Sequence, residues 1–168
     1  PHFALGWAVA GNTPFGYTKQ VGGDFGGSTN GMVIHWPKGI QAEGENRSQW
    51  HHVIDIAPTV LEVAGLPFPT SVNGTPQRPF EGVSLAYTFD DASAEDRHTT
   101  QYFEIAGSRG IYHEGWFARA IHRVPWEPQP RTPLDQDVWQ LYDTRRYLSL
   151  SNDLTEQHLK KFRKLQDQ

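Results

Sequence analysis

Residues 31–37 read GMVIHWP, a short and nearly continuous apolar run that is closed by Pro37. An apolar run of this length, bounded by glycine and proline, is typical of a strand that is buried on both faces. Strands of this kind form the parallel sheets of α/β proteins, so we assign the chain to the α/β class. His35 lies within the run and is expected to be a buried, hydrogen-bonded core histidine.

The segment before this run is dense in glycine. Glycine pairs at 22–23 and 26–27 bracket Asp24 and Phe25, and we expect residues 1–30 to be irregular because paired glycines disfavour long regular elements. Lys19 stands here with no acidic residue nearer than Asp24. A lysine on a glycine-rich turn can place its ammonium group beside a tetrahedral anion. The alternative is an ordinary solvated lysine on the surface.

The segment after the run contains the clearest helix. Asp55 is a suitable N-cap, Pro58 falls in the first turn, and Gly65 ends the helix. The apolar residues between them follow helical spacing: Ile56, Val60, Val63 and Ala64. Residues 66–100 are expected to be mostly loop.

Several histidines and acids could bind a metal or act in acid–base chemistry. His51 and His52 precede Asp55, but adjacent histidines point in different directions, which favours a hydrogen-bonded helix entrance over a metal site. His113 and Glu114 are consecutive at an expected hairpin turn. They could form an acid–base pair, or simply be solvated.

From residue 100 the chain changes character. Short aromatic and β-branched runs at 100–106, 110–113, 116–122 and 138–142 predict an antiparallel meander, interrupted by a proline-rich loop at 125–133. Residues 154–168 predict an amphipathic helix, with Thr155 as a possible cap. We therefore predict two domains: residues 1–98 as part of a large mixed sheet, and residues 99–168 as a small antiparallel sheet packed against the last helix.

The composition excludes several classes of protein. The chain has 168 residues, a net charge of −4 and no cysteine, so neither disulfides nor thiolate metal sites can form. Its pI of about 6.0 and the lack of a long apolar run argue against nucleic acid and membrane partners. We expect a soluble protein, cytoplasmic or periplasmic. Because the chain opens on Pro1 and its only methionine is Met32, we expect it to be a fragment of a longer polypeptide.

Several motifs, taken together and in order, resemble the C-terminal portion of the type I sulfatases (arylsulfatases) of the alkaline phosphatase superfamily. They are KQVGGDFGGSTNGMVIHWPKGI at 19–40, DIAPTVLEVAG at 55–65, GVSL at 82–85, the run 104–116, WQLYD at 139–143 and NDL at 152–154. The resemblance covers nearly the whole chain. Phe25 and Ser28 depart from residues that are frequent in the family, which leaves the subfamily open.

The resemblance implies a metal-dependent sulfuric ester hydrolase. In that family a formylglycine, made within a Cys/Ser-x-Pro-x-Arg motif, attacks sulfur, and a divalent metal, usually calcium, is held by Asp and Asn residues. This sequence contains no such motif, so the nucleophile and the metal ligands are expected on a missing N-terminal portion. This chain alone is then expected to be inactive.

Only Lys19 matches an active-site position of the family, a lysine that contacts the sulfate group. The implied partners are a small-molecule sulfate ester and the remainder of the enzyme. Two alternatives remain open: a phosphonate monoester or phosphodiester hydrolase of the same superfamily, and a non-catalytic module that shares the fold.

Overall fold

The computed structural model describes residues 3–124, 126–127 and 133–167, in two compact units. Its helices are α1 (Leu5–Asn12), α2 (Phe25–Ser28), α3 (Ile56–Val63) and α4 (Leu159–Gln166), with short 3₁₀ turns at Val53–Asp55, Ala86–Thr88 and Leu134–Gln136. Its strands are β1 (Ser71–Val72), β2 (Thr75–Pro76), β3 (Thr100–Ile105), β4 (Ser108–His113), β5 (Trp116–Ala120) and β6 (Trp139–Asp143). The mixed α and β class is confirmed.

The first unit comprises residues 1–31 and 100–168, and the second comprises residues 32–99. The predicted domain boundary at 98/99 lies one residue from the observed boundary between Thr99 and Thr100. Residues up to Gly31, which were predicted to belong to the first domain, belong instead to the same unit as the C-terminal sheet. The predicted domains refer to a whole enzyme and stay a prediction. None of the helices in the described part of the chain is long and apolar enough to cross a bilayer.

A four-stranded antiparallel sheet, in the order β3-β4-β5-β6, forms the centre of the first unit. Two tight hairpins join its first three strands, at Ala106-Gly107 and at Glu114-Gly115, and all four of these residues have positive φ. Two-residue turns of this kind match the twist of antiparallel strands. The predicted meander is confirmed, with strand ends shifted by one or two residues; most of the predicted proline-rich loop lies outside the described residues.

Strand β5 is the most buried strand of this sheet, since all five of its residues are buried. Side chains alternate between the two faces of a strand. On one face, Trp116 and Ala118 pack in a core cluster with Leu141 and with Leu165 of α4. On the other face, Phe117 and Arg119 contact the glycine-dense segment around Phe25 and Asp24. The sheet is therefore covered on both sides.

The C-terminal helix is confirmed but is shorter than predicted, because α4 begins only after His158. Thr155 does not cap it, and that prediction is wrong. The Thr155 hydroxyl accepts a hydrogen bond from the backbone N–H of Leu141 at 2.9 Å and lies 2.5 Å from an Asp153 carboxylate oxygen. The residue is used to hold the tail against β6 instead.

Helix α1 contradicts the prediction that residues 1–30 are wholly irregular. Leu5, Ala8 and Ala10 favour a helix despite Gly6 and Gly11, each of which costs about 1 kcal/mol relative to alanine. It ends at Thr13, which is extended as expected for a residue before proline. None of its residues is buried, and Trp7 is 72% exposed.

The second unit is organised around α3. As predicted, this helix begins after Asp55, has Pro58 in its first turn and ends just before Gly65. A hairpin of β1 and β2 turns at Asn73 and Gly74, both at positive φ, within the stretch that was predicted to be loop. The buried residues of this unit are Asp55, Pro58, Thr59, Leu85, Thr88 and His98. Polar side chains thus make up most of its interior, which is unusual for a region of this size.

The predicted buried strand at residues 31–37 is wrong for this structure. The segment forms no strand, Val33 is 94% exposed, and His35 is exposed rather than a core residue. A strand needs partners for its backbone N–H and C=O groups, and no described residue pairs with this segment in a sheet. In the same unit, an apolar stripe at helical spacing is exposed along α3 and the 3₁₀ turn before it: Val53 in the turn, and Ile56, Val60 and Val63 in α3.

These exposed apolar residues generate a prediction about the isolated chain. We expect the 168-residue protein to bind a hydrophobic dye and to self-associate, because contiguous apolar surface of this kind is rarely left in water. Replacing Val33 and Val60 by serine should reduce both effects, whereas the control Gln41→Ser should not. Light scattering that shows a monodisperse monomer with no dye binding would contradict the prediction.

Candidate functional site

Lys19 lies on a compact loop, residues 16–28, that covers one face of the four-stranded sheet. The residue is exposed at a turn, and it makes no ion pair within the described part of the chain. Its neighbours Tyr17 and Gln20 both have positive φ, at 62° and 78°. Non-glycine residues adopt this conformation only when the surroundings enforce it, so the turn that presents Lys19 has a defined shape.

Asn12, at the end of α1, closes the base of this loop. Its side-chain amide donates to the carbonyl oxygens of Tyr17 at 3.1 Å and Gly26 at 2.8 Å. A β-carbon at Gly26 would collide with the carbonyl oxygen of Gly16. The two ends of the loop therefore meet at a distance that only glycine permits.

The middle of the loop runs directly over the strands. A β-carbon at Gly23 would lie 2.7 Å from the carbonyl oxygen of Arg109 and 3.1 Å from that of Ala120. Val21 is fully buried, and the ring of Phe25 packs on Phe117 of β5 with centroids 4.8 Å apart. Close backbone approach and apolar burial fix the loop on the sheet.

A buried ion pair between Asp24 and Arg119 is the main polar connection between the loop and the sheet. Asp24 is 2% exposed and also accepts the backbone N–H of Gly26 at 3.2 Å, at the start of α2. Arg119 donates to the hydroxyl of Tyr142 at 2.9 Å and to Gln140 Oε1 at 3.3 Å. Both charges thus have further hydrogen-bond partners, which a buried pair requires.

Tyr142 belongs to the same network. Burial raises the pKa of its hydroxyl, because it disfavours the anion, and the neighbouring Arg119 guanidinium opposes this effect. The tyrosine is therefore neutral at neutral pH, and its oxygen accepts the hydrogen bond from Arg119.

Asp55 is the centre of a second polar cluster, in the other unit. Its fully buried carboxylate accepts the backbone N–H groups of His52 and Val83, each at 2.8 Å, and lies 2.8 and 2.9 Å from Nδ1 of His98. The predicted cap position is confirmed, but the side chain bonds the preceding turn and His98 rather than the N–H groups of α3. The cluster ties three chain segments together.

His51 and His52 lie beside this carboxylate, with Nδ1 of His51 3.6 Å from an Asp55 oxygen. Burial lowers the pKa of His51, and the nearby Asp55 opposes it; burial also lowers the pKa of His52, helped by His98. In the described part of the chain no three His, Cys, Asp or Glu side chains are placed to hold a metal ion. The expected helix entrance is present, with the backbone N–H of His52 bonded to Asp55, but the ring nitrogens of His51 make no hydrogen bond to any described residue.

His113 is the last residue of β4 and Glu114 is the first residue of the hairpin turn that follows it, so the two lie at a turn as expected. Nε2 of His113 is 3.6 Å from a Glu114 carboxylate oxygen, and its Nδ1 is 2.7 Å from the hydroxyl of Thr100 on β3. Glu114 is 67% exposed, so the contact is solvated. This exposure is typical of a solvated surface pair, and the acid–base alternative stays a prediction.

The sequence singled out Lys19 but not what holds it. Asn12, Arg119 and Tyr142 position its loop; Arg119 and Tyr142 are far from it in sequence, and the sequence indicated this role for none of the three. Arg119 could have been suspected from one signal, a charged residue inside an otherwise apolar strand. The assignment of Lys19 as a sulfate-contacting residue stays a prediction.

Comparison with known proteins places the fold. No protein-family model matches the chain, and no curated protein matches it in sequence. Solved structures do. A Bacteroides thetaiotaomicron protein, described under the metabolism of multiple glycosaminoglycans and labelled BT33336S-sulf, aligns with a TM-score of 0.63 at 17% identity, over 88% of this chain and 29% of its own.

Two further structures are similar. BT4656, solved with its substrate D-glucosamine-2-N,6-O-disulfate, aligns with a TM-score of 0.56 at 20% identity, over 80% of this chain and 26% of its own. The protein Ps i-CgsB aligns with a TM-score of 0.53 at 20% identity, over 78% and 26%. The chain thus spans less than a third of the length of these proteins. The predicted resemblance is confirmed at the level of fold: the chain has a sulfatase-like fold.

Proposed function

We propose that this chain is the C-terminal part of an enzyme that hydrolyses sulfate esters, and that Lys19 contacts the sulfate group. The observation that carries the proposal is the placement of Lys19: an exposed ammonium with no ion-pair partner in the described residues, on a loop fixed from beneath by the Asp24–Arg119 pair. The sulfatase-like fold supports it, as does BT4656, whose own substrate is a sulfated sugar.

The proposed division of labour follows from what the sequence contains. It has no cysteine and no Ser-x-Pro-x-Arg motif, so a formylglycine nucleophile would belong to another portion of the polypeptide. The same holds for a divalent metal such as calcium, since the described residues offer no ligand group for it.

The role of Lys19 in this proposal is electrostatic. When an alkoxide or phenoxide leaves sulfur, negative charge develops on the bridging oxygen. An ammonium already fixed beside that oxygen, or beside the equatorial oxygens, stabilises the charge without reorganising during the reaction. The loop contacts described above would hold the ammonium in place.

The exposed apolar residues are explained by the same proposal. A unit with a largely polar interior and apolar residues on its outside lacks a core of its own. We infer that the rest of the enzyme covers α3 and supplies strand partners for residues 31–37. This is the large mixed sheet expected from the sequence.

The first functional prediction concerns Lys19. In the complete enzyme, Lys19→Ala should lower turnover of 4-nitrophenyl sulfate by about 10²–10³-fold, the usual loss when one preorganised donor is removed. The melting temperature should be unchanged because the side chain is exposed. Lys19→Arg should recover little, since a planar guanidinium does not replace a compact ammonium.

The matched control is Lys38→Ala, which removes another exposed lysine and should leave turnover unchanged. Turnover of Lys19→Ala within about threefold of wild type, well short of that loss, would exclude Lys19 from the site.

The second prediction concerns the ion pair beneath the loop. Asp24→Ala should lower the free energy of unfolding by about 3 kcal/mol, because it leaves the Arg119 guanidinium buried without its counter-charge. Turnover should fall as well, because the loop loses its attachment. The double variant Asp24→Ala/Arg119→Met should regain most of the stability but not the turnover, as measured by denaturation and by 4-nitrophenyl sulfate kinetics.

Glu156→Ala, an exposed acid of the same unit, is the control and should change neither quantity. If Asp24→Ala and Glu156→Ala behave alike in denaturation, the pair does not hold the loop.

The third prediction concerns the chain by itself. We expect no turnover of 4-nitrophenyl sulfate by the isolated 168-residue protein with calcium present, because no residue in it can become formylglycine. Clear activity would refute the division of labour. If the complete enzyme cleaves a phosphodiester, such as bis(4-nitrophenyl) phosphate, but no sulfate ester, the alternative hydrolase is correct instead.

A further inference from the structure

The outer surface of α4 carries four cations: Lys160, Lys161, Arg163 and Lys164, here called the α4 basic face. All four are exposed, and none forms an ion pair with any residue that the structure describes. With 3.6 residues per turn they fall within an arc of roughly 160°. The opposite side of the helix holds Phe162 and Leu165 against the sheet.

The position of these cations along the helix is not explained by helix stability. Cations favour the C-terminal end of a helix, where the dipole is negative, and this accounts for Arg163 and Lys164 in the last turn. Lys160 and Lys161 lie in the first turn, where the dipole disfavours positive charge, and no acidic residue accompanies them there. A negatively charged partner outside the chain would offset this arrangement.

The basic face continues onto the turn after β6. Lys161 Nζ lies 4.7 Å from the ring centroid of Trp116, and the Arg145 guanidinium carbon lies 5.6 Å from the same centroid. One aromatic ring therefore supports cations from both elements. Arg145 is also paired with Asp143 at 2.9 Å, so it adds less free charge than the lysines.

The charge of this region differs in sign from that of the chain. Residues 139–167 contain six Lys or Arg and four Asp or Glu, whereas the whole chain contains 15 and 19. A local positive surface on an acidic protein attracts polyanions to one place and repels them elsewhere.

We propose that the α4 basic face binds a sulfated polysaccharide chain, at a place separate from the Lys19 loop. This rests on the proposed function, in which the substrate is a sulfate ester, and extends it to polymeric substrates. A helix of eight residues is about 12 Å long. That length suits a few sulfate groups on consecutive sugars better than a nucleic acid duplex, whose charges follow every 1.7 Å or so over a long footprint.

The test is fluorescence anisotropy of labelled dextran sulfate oligosaccharide titrated with the complete polypeptide at several salt concentrations. The double variant Lys160→Gln/Lys161→Gln should weaken binding by about tenfold or more at low salt. It should also lower the slope of log affinity against log salt by about two, one for each cation removed.

Two controls make the result specific. Lys38→Gln/Arg78→Gln removes the same charge from two exposed cations elsewhere and should leave affinity and slope unchanged. Unsulfated dextran should not bind.

Unchanged affinity and slope in Lys160→Gln/Lys161→Gln would overturn the inference. So would equal affinity for a duplex DNA of similar charge. Hydrolysis of 4-nitrophenyl sulfate by the same preparations separates this inference from the proposed function: active enzyme that does not bind dextran sulfate refutes only the basic face, and inactive enzyme that binds it refutes only the reaction.

Discussion

The buried pair of Asp24 and Arg119 is the contact on which the candidate site depends. Taking both charges out of water is costly, and their mutual attraction offsets the cost only because each has other partners. Arg119 also bonds Tyr142 and Gln140, and Asp24 also bonds the start of α2. A glycine-rich segment with little side-chain area of its own is thereby given one fixed position on β5. The turn that carries Lys19 is part of this segment and is therefore held in place with it.

The two units are stabilised in different ways. In the first, β5 lies between α4 on one face and the loop on the other, and apolar side chains dominate the interior. In the second, the Asp55 carboxylate and the hydroxyl of Thr59 connect several segments, and the buried apolar residues are Pro58 and Leu85. Hydrogen bonds of this kind favour one arrangement of the segments. Their net contribution to the free energy of folding is small compared with that of burying apolar surface.

Local signals in the sequence were enough for elements that depend on local interactions. The meander was predictable because its hairpin glycines and alternating side chains are near neighbours in the chain. Helix α3 was predictable for the same reason, since its cap position, Pro58 and Gly65 are close together in sequence. The β1–β2 hairpin carries an equally strong signal, Asn73-Gly74, between residues that can pair. The surrounding stretch contains four prolines, at 67, 69, 76 and 79, and proline disfavours strands, which weakens that signal.

Features that depend on distant residues could not be predicted. The run at 31–37 has the composition of a buried strand, but burial requires neighbours, and the described residues provide none. His98 and Arg119 become important only when the fold brings them to Asp55 and Asp24, 43 residues away in the first case. The glycine-rich surroundings of Lys19 indicate it as a candidate, whereas no local signal indicates the residues that hold its loop.

The close packing of the loop also limits how its sequence can be redesigned. Gly23 and Gly26 have no room for a side chain, and Val21 and Phe25 fill space on the sheet. A library that randomised all of residues 16–28 would consist mostly of misfolded members. Lys19 and Gln20 are the exposed side chains at its turn. Directed evolution of this loop can therefore vary few positions, and these lie at and beside the lysine.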